Sequence, residues 1–302
     1  MKRIQAGVLD VAYLETGPAD GPPVILLHGF PYDVHAYDDV AEHLATAGRR
    51  CIIPFLRGYG PTRFLSPTTP RSGEQAALGA DLLALMDALA IPRATLAGYD
   101  WGGRAACIVA AIWPDRVAGL VSCGSGYNIQ NVAAGRNPVN PVQEHRYWYQ
   151  HYFQSARGRA GLAANRHDFC RLLWNPWSPE WRFDDATYAR TAPAFDNPDF
   201  VDVVIHSYRH RFGDTQGDPA VAAIEQRLAT QPAITVPTIV LFGGADGVEG
   251  SPHSPDRHAH HFTGPHERRI LPTIGHNVPQ EAPKAFADAV LAVESKARGS
   301  AP

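Results

Sequence analysis

The sequence predicts an α/β protein: a mostly parallel, doubly wound sheet with a helical segment inserted late in it. Three observations predict this. Short apolar runs alternate with helical stretches through the first half of the chain. The alternation stops after Tyr127, in a stretch rich in aromatics, His and Arg that reaches Pro232. It resumes at Thr238. Strand–helix–strand repetition is what builds parallel sheets with helices on both faces.

The elements follow in order. Val24–His28 is an apolar run between Pro23 and Gly29, and Arg50–Pro54 is a second. Ala94–Ala97 and Val117–Val121 follow, then Thr238–Phe242 and Arg269–Leu271. Continuous apolar runs suit strands buried on both faces. Between them, Ala77, Leu78, Leu82, Leu85, Met86 and Leu89 recur at helical spacing within Glu74–Ala90. A helix is expected over Arg104–Trp113 and a final one over Pro283–Glu294, with a frayed tail over Arg298–Pro302. The interrupting stretch shows no strand-like run and reads as helices joined at Asn175-Pro176, Ser178-Pro179 and Asn197-Pro198. The expected division is therefore a core of residues 1–127 and 233–302, with a helical cap of residues 128–232. Such a cap lies over the C-terminal ends of the strands, where ligands bind in sheets of this type.

Composition narrows the function classes. The 302 residues are 45% hydrophobic and 19% charged, enough for a large core and unlike a disordered chain. Lys+Arg of 27 against Asp+Glu of 30 leaves a net charge of −3, which argues against nucleic acid or an anionic membrane as partner. Cys51, Cys107, Cys123 and Cys170 stand singly, without metal-ligand spacing, and read as reduced packing residues. No run approaches the ~20 apolar residues of a membrane span, and none resembles a signal peptide. The expectation is a cytoplasmic protein that uses no cofactor and no metal.

The strongest chemical signal is Gly98-Tyr99-Asp100-Trp101-Gly102-Gly103, directly after an apolar strand and directly before a helix. Small-x-nucleophile-x-small on a strained strand-to-helix turn is the nucleophile elbow of the α/β-hydrolase fold, here with Asp100 in the nucleophile's place. A Cβ at Gly98 or Gly102 is expected to clash across that turn. The helix N-terminus favours the anionic side chain. An ordinary Asp N-cap is the rival reading, and the surrounding motifs argue against it. His28-Gly29-Phe30-Pro31 ends an earlier strand, in the position that supplies one backbone N–H of an oxyanion hole; Phe30 and Trp101 are the expected donors. Asp246 follows a strand in Phe242-Gly243-Gly244-Ala245-Asp246-Gly247, and His276 follows the last strand in Thr273-Ile274-Gly275-His276-Asn277. Nucleophile, acid, histidine is the chain order of triads in this fold. Glu249 is the alternative acid, and His145, His206, His210 and His261 are rival histidines.

The elbow, the HGFP turn and Gly58-Tyr59-Gly60-Pro61-Thr62 together resemble the epoxide hydrolases of the Asp-nucleophile group, whose relatives include haloalkane and fluoroacetate dehalogenases. The resemblance extends over essentially the whole chain. It implies two cap tyrosines that donate to the epoxide oxygen. Tyr149-Gln150-His151-Tyr152-Phe153-Gln154 is similar to the stretch carrying the first, and His206-Ser207-Tyr208-Arg209 to that carrying the second. These point to Tyr149 and Tyr208, with Tyr147 and Tyr152 as substitutes. Phe30, Trp101 and Gln150 are the implied substrate contacts. The implied substrate is a small apolar or aryl epoxide, with a homodimer as an open assembly.

A carboxylate nucleophile suits that chemistry. Attack on an acyl carbon gives a reactive anhydride, whereas attack on a saturated carbon gives a stable alkyl ester. His276, oriented by Asp246, then activates water against the ester. Two departures count against a fluoroacetate dehalogenase: Trp101 stands where those enzymes carry an Arg, and Tyr149 where their cap carries Trp. Arg104 matches their second Arg, but is read here as a helix-surface or ion-pair residue. A haloalkane dehalogenase would want an Asn at Phe30. A non-catalytic protein on the same fold is the alternative from another class, and such proteins usually lose part of the constellation that this chain keeps.

Overall fold

The computed structural model describes residues 1–249 and 256–299. Its strands are β1 (Lys2–Ala6), β2 (Leu9–Thr16), β3 (Pro23–Leu27), β4 (Arg50–Pro54), β5 (Arg63–Phe64), β6 (Ala94–Gly98), β7 (Val117–Cys123), β8 (Thr238–Gly243) and β9 (His266–Leu271). They form one sheet in the order β1-β2-β4-β3-β6-β7-β8-β9, with β5 on β2. Pairing is antiparallel among β1, β2 and β4 and parallel from β4 to β9. The parallel strands behave as continuous apolar runs should. All five residues of β6 and all six of β8 are buried. The β1–β2 hairpin was not expected. β1 is mostly exposed and β2 mixes buried with partly exposed positions, so the hairpin lacks the continuous buried run that marks the inner strands.

Helices α1 (Asp38–Thr46), α2 (Gln75–Ala88), α3 (Asp100–Ile112), α10 (Val278–Glu281) and α11 (Pro283–Gly299) belong to the sheet. α1 packs on α11, and α2 on α3. α3 begins at Asp100, four residues ahead of the expected start. α11 extends past Glu294 through Gly299, so the tail expected from Arg298 is helical in its first two positions. The rest of that tail, residues 300–302, lies outside the described residues. Between β7 and β8 come α4 (Pro141–Arg146), α5 (Trp148–Gln154), α6 (Ala156–Trp177), α7 (Asp185–Thr191), α8 (Phe200–Arg211) and α9 (Ala222–Ala229). α6 is kinked where Asn165 leaves helical geometry at φ −129°.

Phe30 joins these helices to the sheet. Its ring is fully buried, with the rings of Trp101, Tyr149, Phe153, Trp177, Phe200 and Tyr208 centred within 6.4 Å. Five of those six come from the segment between β7 and β8. A second tie runs from the Trp174 indole N–H to the Pro31 carbonyl, 2.9 Å. A third joins Thr191 Oγ1 to Asp33 Oδ1, also 2.9 Å.

The elbow leaves no room for side chains at its glycines. A Cβ on Gly98 would lie 2.6 Å from the Gly102 carbonyl carbon, across the turn as expected. A Cβ on Gly102 would lie 2.0 Å from the Leu27 carbonyl oxygen, so there the obstruction is the neighbouring strand. Both obstacles are backbone and cannot rotate away. Gly102→Ala should therefore cost about 3 kcal/mol or more in denaturant unfolding; wild-type stability would show that the strand and helix pack differently.

Asp33 gives a pH-dependent expectation. Burial pushes its carboxyl up to about 7, against the opposing pull of His35 and the Thr191 hydroxyl. A carboxyl with a raised folded pKa makes the native state bind the extra proton, so stability falls as pH rises from about 4 to about 7. Asp33→Asn, which keeps an accepting oxygen, should raise Tm at pH 8 by about 2–4 °C and change it little at pH 4. An equal gain at both pH values would overturn this account.

Candidate active site

Two adjacent parallel strands deliver the nucleophile candidate and its backbone donor. β3 pairs with β6 so that Leu27 faces Gly98, which sets the loops after both strands side by side. The Phe30 N–H donates to Asp100 Oδ1 at 2.7 Å. Asp100 sits at φ +49°, the left-handed region that a residue with a Cβ enters at a cost of roughly 1–3 kcal/mol. Gly29 makes the approach feasible, since a Cβ there would lie 2.5 Å from that of Asp100. Burial pushes the Asp100 carboxyl up. His276, then Arg104 and the Phe30 N–H, outweigh it and hold the carboxyl below its ordinary value. Trp101 follows on the first turn of α3, its side chain buried against Phe30.

The next two parallel strands deliver the other pair. β8 and β9 end together, with Gly243 facing Leu271. His276 Nδ1 lies 2.9 Å from Asp246 Oδ2. Asp246 Oδ1 accepts from the N–H groups of Val248, at 2.7 Å, and Glu249, at 3.1 Å. His276 Nε2 points toward Asp100 Oδ2 at 3.9 Å, too far for a hydrogen bond. Burial disfavours the charged imidazole, but Asp246 and then Asp100 overcome it, so the His276 pKa stands well above its ordinary value. Glu249, the alternative acid, gives only its backbone N–H to Asp246; burial and then the Asp246 charge push its carboxyl up to about 7. The rival histidines lie elsewhere. His145 is exposed, His206 bonds to Gly73 and Gln216, His210 pairs with Glu74, and His261 stacks on Tyr127.

A cavity of about 280 Å³ opens on Asp100 and His276. Tyr149 and Gln150 line it from α5. Gln150 Nε2 donates to the Tyr149 hydroxyl at 2.9 Å, which leaves the phenol proton free to donate elsewhere. Tyr208 stands edge-on to Tyr149, ring centres 5.4 Å apart, but is not among the lining residues. Nor are Phe30 and Trp101, the other expected substrate contacts, whose rings the inserted aromatics enclose. Of the two substitute tyrosines, Tyr147 reaches the cavity and Tyr152 stacks on Phe169 instead.

Two arginines correct the sequence reading. Arg104 is not on the helix surface: it is 7% exposed, donates to the Asn128 carbonyl at 3.3 Å and lines the cavity. Arg211, one turn beyond Tyr208 on α8, lines it too. The Tyr208–Arg211 spacing, i to i+3 on one helix face, was the available signal for the second. The cavity wall is accordingly more charged than an apolar or aryl ligand would want. Ser178 was also missed. Its Oγ accepts from the His276 N–H at 3.0 Å, while the Trp177 carbonyl accepts from the N–H groups of Gly247, at 3.0 Å, and His276, at 3.1 Å. A separate Glu74–His210–Glu225 group could hold a cation, but none of the three lines the cavity.

The sequence pattern of the alpha/beta hydrolase fold matches residues 22–283. A crystal structure from Klebsiella pneumoniae, provisionally assigned as an epoxide hydrolase, is 51% identical, covers 97% of each chain and superposes with a TM-score of 0.94. Epoxide hydrolase A of Mycobacterium tuberculosis is 26% identical over 92% of each chain. Epoxide hydrolase 3 of Siraitia grosvenorii is 37% identical over 41% of this chain, which spans only 37% of that protein's length. With the elbow after β6, the acid after β8 and the histidine after β9, the chain belongs to the alpha/beta hydrolase fold family.

Proposed function

We propose that the protein is an epoxide hydrolase that opens an epoxide to a vicinal diol through an alkyl ester on Asp100. The observation that carries this reading is the pairing of Asp100, fixed by the Phe30 N–H, with an Asp246-bound His276 on its far side. The likeness to proteins named epoxide hydrolases supports it. Asp100 Oδ2, the oxygen not held by Phe30, attacks a ring carbon. The ring C–O bond breaks, and the departing oxygen takes a proton from Tyr149 with Tyr208 behind it. Loss of the Asp100 charge lets His276 return its proton to the Tyr149 phenolate, and its Nε2 then removes a proton from water, which adds to the ester carbonyl. The N–H groups of Phe30 and Trp101 stabilise the oxyanion, and collapse releases the diol and restores Asp100.

The charge arrangement supports that order of events. Resting His276 is flanked by two carboxylates that favour its protonated form. Esterification of Asp100 removes one of them and lowers the histidine's pKa when a base is needed. In this reading residues 128–232 are a cap domain that excludes water from the reacting ring, and the four buried free cysteines suit a reducing cytoplasm.

Haloalkane or haloacid dehalogenation by the same three residues is the second reading, favoured by Arg104 in the cavity and by Tyr208 outside its wall. A panel of epoxides and haloalkanoates, followed for diol and for halide, separates the two. Halide release without diol would overturn the proposal, and no turnover of either would favour a non-catalytic role.

Two results are expected if epoxides are opened. Asp100→Ala should be inactive, and a single turnover in ¹⁸O-water should label the Asp100 carboxylate rather than the diol. His276→Gln should accumulate protein plus one substrate by intact mass, and Asp246→Asn should slow the same hydrolytic step. Label entering the diol directly, or normal turnover by His276→Gln, would sink the mechanism.

The phenols should be unequal. Tyr149→Phe should slow alkylation by about 30- to 1,000-fold, the equivalent of losing a donor worth roughly 2–4 kcal/mol. Tyr208→Phe, removed from the cavity wall, should cost less, and the double variant less than the product of the two. Pre-steady-state ester formation measures this, and unaffected alkylation in Tyr149→Phe would remove the proposed acid.

A further inference from the structure

We infer that the cavity takes an epoxide bearing a carboxylate, which Arg104 and Arg211 hold while Asp100 attacks the ring. The inference rests on the epoxide reading above and names its substrate class. Both guanidinium-bearing residues line the cavity that opens on Asp100. Among the described residues neither makes an ion pair, although twenty such pairs join other residues of the chain. Arg104 has a single backbone carbonyl as hydrogen-bond acceptor. Burial and then the Arg211 charge disfavour the Arg104 guanidinium, while the neighbouring tyrosines and Asp100 favour that of Arg211. Arg211 lies over the Tyr147 ring, 5.6 Å from its centre. A guanidinium offers five donors in a planar fork and remains charged, so two without a carboxylate partner in one small cavity call for a bidentate anion.

The negative groups already present do not fill that need. Asp246 is committed to His276, Val248 and Glu249. Asp100 gives one oxygen to Phe30 and in the reaction becomes a neutral ester, just when the arginines would be left least compensated. Glu249 titrates near neutrality and carries at most part of a charge. A substrate carboxylate balances the site through both steps. The arginine pair in turn offsets the repulsion that a negatively charged substrate would feel from the attacking Asp100. An adjoining cavity of about 440 Å³ shares Tyr147, Glu249 and His258 with the inner one; among the described residues it carries Arg146, Arg257 and Arg268 with Asp256 and Glu249. The inner wall also carries the polar side chains of Gln130, Asn128 and Asn131, beside Ile129 and Val248.

The test uses two matched pairs of probes on the whole chain. Cyclopropanecarboxylate and cyclopropanecarboxamide differ in charge but not in shape, and neither reacts. Calorimetry on the wild type should find the acid bound at least tenfold more tightly. Glycidate and glycidamide are the reactive counterparts, and kcat/KM should favour glycidate at least tenfold. In Arg211→Leu the glycidate-to-glycidamide ratio should fall at least fivefold, mainly through KM. Equal binding of acid and amide would overturn the assignment. So would an Arg211→Leu variant that slows both epoxides alike, since the arginine would then serve the ring opening and not the carboxylate. If neither epoxide opens, the epoxide reading has failed, and calorimetry still decides for or against the carboxylate site. Calorimetry also decides if Arg211→Leu does not fold.

Discussion

The hydrogen bond from the Phe30 N–H to Asp100 is the constraint around which the molecule is arranged. It spans the loops after two neighbouring strands, and its 2.7 Å length requires those loops to touch. Backbone can approach that closely only where side chains are missing, so Gly29, Gly98 and Gly102 surround it. The bond also offsets the cost of holding Asp100 at φ +49°. Charge-assisted hydrogen bonds are about twice as strong as neutral ones, so this one can bear much of that strain. In the proposed reaction the same bond leaves Oδ2 as the attacking oxygen.

Around that carboxylate the charges form a sequence rather than a balanced pair. Asp246 holds His276 on one side, His276 faces Asp100 across 3.9 Å, and two arginines lie beyond. At that spacing one unit charge alters another by about 4 kcal/mol at the effective dielectric of a partly exposed site. Neutralising Asp100 is therefore felt at once by His276. In the proposed reaction this change of charge alone would shift His276 from counter-ion toward base.

How much of this was legible follows from the kind of signal each part leaves. The inner strands announce themselves because burial on both faces forces continuous apolar runs such as Val24–Leu27. β1 and β2 do not, because an antiparallel edge with one wet face mixes Arg3, Gln5 and Asp10 with its apolar residues. The order of Asp100, Asp246 and His276 could be read because the topology assigns each to the end of a particular strand. The cavity wall could not. Aromatic content suggested an apolar lining, yet five of the inserted rings surround Phe30, and Arg104 and Arg211 join Tyr147 and Tyr149 on the cavity wall. Whether an arginine such as Arg104 faces solvent or a cavity depends on what packs over its helix, and local sequence carries no record of that.

The junction between the inserted helices and the histidine loop shows why those helices do more than cover the site. α6 ends at Trp177 and Ser178, and this corner accepts hydrogen bonds from His276, Gly247 and Asn277. Ser178 passes its own proton to Glu281 at 2.7 Å, and Glu281 in turn accepts from Gly275 and Asn277. The loop carrying His276 is thus pinned from both flanks, by the inserted segment and by α10. The Trp177 ring also stands against the imidazole, centres 5.2 Å apart. Trp177 also packs at a tilt against Tyr149, ring centres 5.2 Å apart, so one side chain at the end of α6 touches both the proposed base and the proposed acid and ties the inserted helices to the histidine loop.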